Sequence, residues 1–205
     1  MDNHDELRPL RHSAAHIMAE AVLDLFPGTK IGVGPAIENG FYYDFEFAQS
    51  VTPDDLPRIE ERMREIIRGK HTFSHKAMTV AQAREQFRDQ PFKLELVDKI
   101  ADGTLGTHGE TEAKPSDSVS IYAHDTFTDL CAGPHVHDTS EVPGDAFKLL
   151  SLAGAYWLGN EKNPQLTRIY GTAWKSKAEL DHYLWLLEEA KKRDHRKLGK
   201  ELQLF

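Results

Sequence analysis

The chain has a single cysteine, Cys131, in 205 residues. That excludes an internal disulfide and any structural zinc site built from several thiolates, and it points to a reducing compartment. Positive charge is also scarce. Twenty-five basic against 33 acidic residues leave a formal charge of -8, which argues against a protein that coats nucleic acid by bulk electrostatics. Any polyanion must meet a local patch. No apolar run approaches the ~20 residues that cross a bilayer. The first eleven residues lack both the apolar core of a signal peptide and the acid-poor, basic character of a mitochondrial presequence, so a cytoplasmic location with no membrane partner is expected. With 40% hydrophobic and 28% charged residues the chain is not generally disordered, and its length suits one large domain or two small ones. Imidazole, in contrast, is plentiful, at 11 histidines.

Apolar residues at helical spacing predict a first helix over 10–26, stopped by Pro27-Gly28. Residues 30–47 alternate apolar and polar around Asn39-Gly40, which predicts two antiparallel strands turning at Glu38-Asn39-Gly40. A second helix is expected from Asp54-Asp55 to about Arg68, with Leu56, Ile59, Met63, Ile66 and Ile67 as its buried stripe. A short strand over 73–78 precedes a helix capped by Thr79, then a helical piece over 92–101. Residues 102–117 read as a loop or subdomain edge. Strands are expected at 119–123, 126–131, 146–153 and 167–172. Ser176 then caps a long C-terminal helix that continues through the basic run to Lys200. Hairpins with segregated helices predict an α+β fold, an antiparallel or mixed sheet packed with helices.

His12 and His16, four apart on the first helix, project from one face. Far along the chain, Asp129-Leu130-Cys131-Ala132-Gly133-Pro134-His135 places Cys131 and His135 around a turn just past a strand. Two such pairs suggest one shared site. Three imidazoles and a thiol suit either a tetrahedral zinc or metal-free acid–base work. Lys93, between Phe92 and Leu94, reads alone as a solvated lysine. Asp129 lies on the same strand face as Cys131 and can orient an imidazole, or can be a surface aspartate. Of Tyr42 and Tyr43 one is expected in the core and the other at a pocket, and Gly32 and Gly34 allow close backbone approach or shape a bulge. Asp125, His108, His124 and His137 read as surface or loop residues, and His71 and His195 carry no case of their own. The basic stretch 191–200 reads as a solvated face or a phosphate contact.

Several long, collinear stretches resemble one family. They are Arg11-His12-Ser13-Ala14-Ala15-His16, residues 31–44, Asp129 through Val136, Phe147-Lys148-Leu149, Ala153-Gly154-Ala155-Tyr156-Trp157, Arg168 through Trp174, and the closing run 193–202. All are similar to the editing (second additional) domain of bacterial-type threonyl-tRNA synthetases, and the closing run to the helix that joins it to the synthetase core. The resemblance implies an editing domain over 1–174 and a linker helix over 175–205. It implies a proofreading ester hydrolase that removes serine wrongly attached to threonine tRNA, because one missing methyl is worth only ~1–3 kcal/mol in a binding pocket. The implied partner is the tRNA 3′ end carrying serine and, in a full-length enzyme, a synthetase core acting as a homodimer.

Carried over by position, the resemblance implies that His12, His16, Lys93, Asp129, Cys131 and His135 line the editing pocket. Lys93 and His12 are expected to position and activate water, His16 to contact the terminal ribose, and Cys131 and His135 to face the seryl group or a second water. Tyr43 and the backbone at Gly34 are expected against the aminoacyl group or terminal adenine. No cofactor is expected; zinc on His12, His16, Cys131 and His135, as in alanyl-type editing domains, is the alternative. ATP belongs to the adenylate-forming core, which the chain is expected to lack, as an excised domain or a free-standing deacylase. A thioester route through Cys131 ranks below water attack, because an acid two residues away opposes the thiolate. A non-catalytic tRNA-binding module is the remaining reading.

Overall fold

A computed structural model describes residues 3–105 and 114–193. Its architecture is α+β, as the sequence predicts. Five strands, β1 (Lys30–Ile31), β2 (Ala36–Ile37), β3 (Gly40–Glu46), β7 (Phe147–Tyr156) and β8 (Gln165–Ala173), form one sheet. Its order is β1-β3-β8-β7, with β2 also on β3. A second sheet has the order β4 (Ser74–Thr79), β5 (Ser118–His124), β6 (Phe127–Leu130). Every strand pair described is antiparallel.

The helix α1 (Asn3–Leu25) is the pivot of the molecule. It begins earlier than the pattern over 10–26 predicts, with Pro9 inside it. The added turns are held because Leu7 is buried on the same face as Leu10. From Ser13 to Val22 every residue is buried, so this helix is enclosed all round rather than laid on a surface. It touches β2, β3 and β8 of the larger sheet, α2 (Leu56–Gly69), and β6 of the smaller sheet. Phe41, Tyr43 and Phe45 of β3 meet it from the large sheet, and Ile59, Met63 and Ile66 from α2, in one apolar cluster.

The hairpin turns at Glu38-Asn39 as predicted, with Ile37 paired to Gly40. Its first strand is split by an irregular stretch over 32–35 that stays bonded to β3, with the Gly32 N–H donating to the Asp44 carbonyl at 2.8 Å and the Asp44 N–H donating to the Val33 carbonyl at 3.0 Å. Thr79 caps α3 (Val80–Gln86) through a capping box with Gln82, and Pro91 opens α4 (Pro91–Ala101). Ser176 caps α5 (Lys177–Lys192) by accepting from the Glu179 N–H. Of α5 only Leu180 is buried. The basic run beyond Arg193, with His195, lies outside the described residues, as does His108 in the 102–117 loop.

One expectation about the histidines is overturned. His124, read as a surface or loop residue, ends β5 at 2% exposure and lies 2.8 Å from the buried Glu20 carboxylate. Its ring fills the space beside Phe73 and Phe127, a burial that its position before a turn hides in the sequence. His137 is exposed, whereas His71 Nε2 sits 3.4 Å from Asp125 Oδ2.

Candidate active site

α1 and the turn after β6 converge, although more than a hundred residues separate them. His12 Nε2 lies 3.3 Å from Cys131 Sγ, and His135 Nε2 lies 3.3 Å from the same sulfur. His16, one turn along α1, stands 4.3 Å from the His135 ring and 5.0 Å from that of His12, between centroids. The ligating atoms of His12, His16, Cys131 and His135 all fall within 4.8 Å of one another.

Hydrogen bonds set the ring states. His12 Nδ1 is 3.2 Å from the Pro134 carbonyl, which can only accept, so Nδ1 carries the proton and the Nε2 lone pair faces Cys131. Ser13, fully buried, was not singled out from the sequence. Its Oγ accepts from the Val136 N–H at 3.1 Å and lies 3.0 Å from His135 Nδ1, pinning the turn to the helix. The signal for it was only its place between two histidines of one helix.

Asp129 is the second centre. β6 alternates, burying Phe127 and Asp129 and half-exposing Thr128 and Leu130. Asp129 Oδ1 meets Lys93 Nζ at 2.5 Å, and Oδ2 accepts from the Tyr43 hydroxyl at 2.6 Å. His16 Nε2 is 3.5 Å from Oδ2. Lys93 and Asp129 are 1% and 2% exposed, so neither is the solvated residue that its neighbours in sequence suggest. Lys93 points inward because it is the third residue of α4, whose buried face carries Phe92, Leu96, Val97 and Ile100.

The tyrosines differ from expectation. Tyr43 is core and sits behind the cleft wall, while Tyr42 stacks under the Arg168 guanidinium, 3.7 Å from it, away from the cleft. Gly34 does line the cleft. A Cβ there would lie 2.0 Å from Tyr43 Cδ2, so the missing side chain is what lets the tyrosine reach Asp129.

These groups open on a cleft of about 270 Å³. His12, His16, Lys93, Asp129 and Cys131 form its polar side; Val33, Leu96, Ile100 and Leu105 form an apolar wall, with Arg8 also lining it. Burial holds the imidazoles of His12 and His16 below the usual histidine range, and that of His135 down to about 2. With His16 neutral, its contact with Asp129 is dipolar rather than ionic. Burial, then the nearby Asp129 charge, pushes the Cys131 thiol up to about 12, and burial with the Asp129 contact raises Tyr43 well above the usual phenol range. Five neutral groups, those of His12, His16, Cys131, His135 and Tyr43, therefore lie around the Lys93–Asp129 pair.

A family profile described as "Threonyl and Alanyl tRNA synthetase second additional domain" matches residues 119–170, which hold β5, β6 and the Cys131–His135 turn. The threonine–tRNA ligase of Borreliella burgdorferi is 53% identical over 205 residues, 100% of this chain and 33% of that protein. The corresponding ligase of Dehalococcoides mccartyi is 54% identical over 200 residues, 98% of this chain and 32% of that protein. By both comparisons the chain is similar to the second additional domain of threonyl-tRNA synthetases. The ligase of Thermobifida fusca, 50% identical over 212 residues, agrees, with 100% of this chain and 32% of that protein covered. The chain spans about a third of the length of the curated relatives it matches. The stretch that brings His12 and His16 to the matched turn lies outside residues 119–170 and is covered by the ligase relatives.

Proposed function

We propose that this domain is a proofreading hydrolase that cleaves the ester of seryl-tRNA(Thr) by direct attack of water. The observation that carries the reading is the meeting of the Lys93–Asp129 pair with the neutral His12 Nε2 lone pair in one cleft. A water held between them gives a proton to His12 Nε2 as its oxygen bonds to the ester carbonyl carbon. Lys93 Nζ, with protons left over from its contact to Asp129, orients that water and donates to the developing oxyanion. The ester C–O bond then breaks, the proton on His12 passes to the departing ribose oxygen, and free serine and tRNA result. His16 faces the terminal ribose. Cys131 faces the seryl group, and His135, outside the cleft lining, backs its sulfur at 3.3 Å.

Tyr43 acts through Asp129 and touches no ligand in this reading. The thiol state of Cys131 speaks against thioester chemistry, since the thiolate is the nucleophile. Discrimination would come from a pocket too tight for the additional methyl of threonine.

A zinc-dependent deacylase is the second reading, favoured by the ligand geometry. Tetrahedral zinc with N and S ligands needs donors about 3.3–3.8 Å apart; both imidazole–sulfur distances here are 3.3 Å, while the full set of four spreads to 4.8 Å and would have to draw together around an ion. The Pro134 carbonyl on His12 Nδ1 is the kind of outer contact that orients a ligating imidazole. His12, His16, Cys131 and His135 would hold the ion, which when bound would supply Lewis-acid polarisation of water.

Incubation with seryl-tRNA(Thr), and with threonyl-tRNA(Thr) as control, tests the proposal. Hydrolysis of the seryl ester with the threonyl ester spared is expected. Hydrolysis of neither leaves a non-catalytic tRNA-binding module. Loss of activity on chelation, restored by zinc, selects the second reading; full activity in metal-free protein selects the first. His12→Ala is expected to lower deacylation at least tenfold while the domain stays folded, as general acid–base groups contribute about 10²–10⁴.

A further inference from the structure

Glu20 and His124 are a buried ionisable pair that the proposed chemistry does not use. Glu20 is 2% exposed, and its Oε2 lies 2.8 Å from His124 Nε2. Thr126 Oγ1 donates to Glu20 Oε1 at 3.4 Å. Glu20 comes four residues after His16 and eight after His12, so the three lie along one stripe of α1. On the facing hairpin, His124 and Thr126 stand at the turn between β5 and β6, Asp129 lies midway along, and Cys131 and Pro134 follow.

The contacts run in opposite order along the two elements: Glu20 with His124 and Thr126, His16 with Asp129, His12 with Cys131 and Pro134. A slip of one residue moves a helix by 1.5 Å and turns it by about 100°, which would break all three together. The upper part of α1 is anchored separately, by the Ser13 contacts and by Arg11, whose Nε donates to the Ala173 carbonyl at 3.2 Å. One anchored end leaves a pivot; two define an axis. His16 lies between the anchors, and its own contact with Asp129 is the long one, at 3.5 Å.

We propose that Glu20 and His124 are positioning residues, a polar lock that fixes the height and rotation of α1 against β6 so that His16 and His12 meet Asp129 and Cys131. The kinetic readout rests on the deacylase reading; the spectroscopic one does not.

The test uses the full chain, with circular dichroism to confirm folding. Glu20→Ala is expected to lower kcat on seryl-tRNA(Thr) about tenfold or more with KM within about twofold, since misplacement of about 1 Å can cost ~10²-fold. Glu20→Gln, which keeps an oxygen at the place 2.8 Å from His124 Nε2 and an acceptor for Thr126 Oγ1, is expected to recover most of that loss. In ¹⁵N-histidine spectra the His12 and His16 signals should shift or double in Glu20→Ala and return in Glu20→Gln. Wild-type kcat with unmoved His16 signals in Glu20→Ala overturns the proposal. So does Glu20→Gln failing as badly as Glu20→Ala, which would assign the effect to charge. Should Glu20→Ala not fold, Glu20→Asp keeps the charge and shortens the arm: a lowered kcat in folded protein supports the lock, and an unchanged one overturns it. If the wild-type chain hydrolyses no aminoacyl-tRNA, the function reading falls and the His16 signals alone decide the lock.

Discussion

Asp129 holds a charge at 2% exposure because three groups share it: the Lys93 ammonium, the Tyr43 hydroxyl and the His16 ring. Removing one partner of such a buried pair costs about 3–5 kcal/mol, whereas replacing both by neutral groups costs far less. Lys93→Ala should therefore lose deacylation and also destabilise the domain by roughly that amount in urea unfolding. Adding Asp129→Asn to Lys93→Ala should recover at least half of the lost stability and none of the activity. A double variant no more stable than the single would mean that the pair is not the buried unit described.

The histidines give a second prediction at this scale. His135 is kept neutral in the fold down to about pH 2, while an unfolded histidine titrates near 6.5. Above about pH 6.5 both states are neutral and the stability is complete. Below it the unfolded chain binds protons that the folded chain refuses, so stability falls, by at most about 1.4 kcal/mol per pH unit for each such ring. His12 and His16 act in the same direction. Between pH 6.5 and 5, where carboxylates stay ionised, the urea midpoint should drop, and His135→Asn should flatten that drop. An unchanged slope would mean that the ring is already charged in the folded protein.

At the level of elements, α1 was legible from its apolar spacing, but its enclosure was not. A helix buried all round reads much like an amphipathic one when small residues such as Ala14, Ala15 and Ala19 fill the second face. Thr79 was readable as a start signal because capping is local chemistry, and the structure adds Gln82 as its partner in the capping box. Thr79→Ala should cost about 1 kcal/mol and leave deacylation alone, since α3 contributes no residue to the cleft. A matching fall in kcat would place α3 in the site. Gly34→Ala should behave oppositely. Its Cβ would strike the Tyr43 ring at 2.0 Å, displacing the tyrosine from Asp129, with about 1–3 kcal/mol of stability lost to overpacking and a lowered kcat. Wild-type kinetics in that variant would show that Tyr43 is not needed to hold Asp129.

For the whole molecule, the proposed division at 174/175 has a direct test. α5 buries only Leu180, and its described hold on the domain includes the Trp174–Tyr183 contact, with centroids 5.0 Å apart. Leu186 and Trp185 are exposed. A chain ended at Ser176 should fold, lose no more than about 3 kcal/mol, the scale of one or two buried apolar side chains, and keep its deacylation kcat. Collapse of the shortened chain would make α5 part of the domain.

Element types, the hairpin turn and the two chemical pairs could be read from the chain because each depends on neighbours within four residues: helical spacing, Asn39-Gly40, His12 with His16, Cys131 with His135. Tertiary structure alone decided that Lys93 and His124 are buried, that Tyr42 faces away while Tyr43 serves Asp129, that Ser13 pins the turn, and that Glu20 ties α1 to the second sheet. Each of those outcomes depends on partners far along the chain, from 36 residues for Lys93 and Asp129 to 126 for Tyr42 and Arg168, and solvent exclusion there is set by which surfaces meet, a quantity that no local pattern carries.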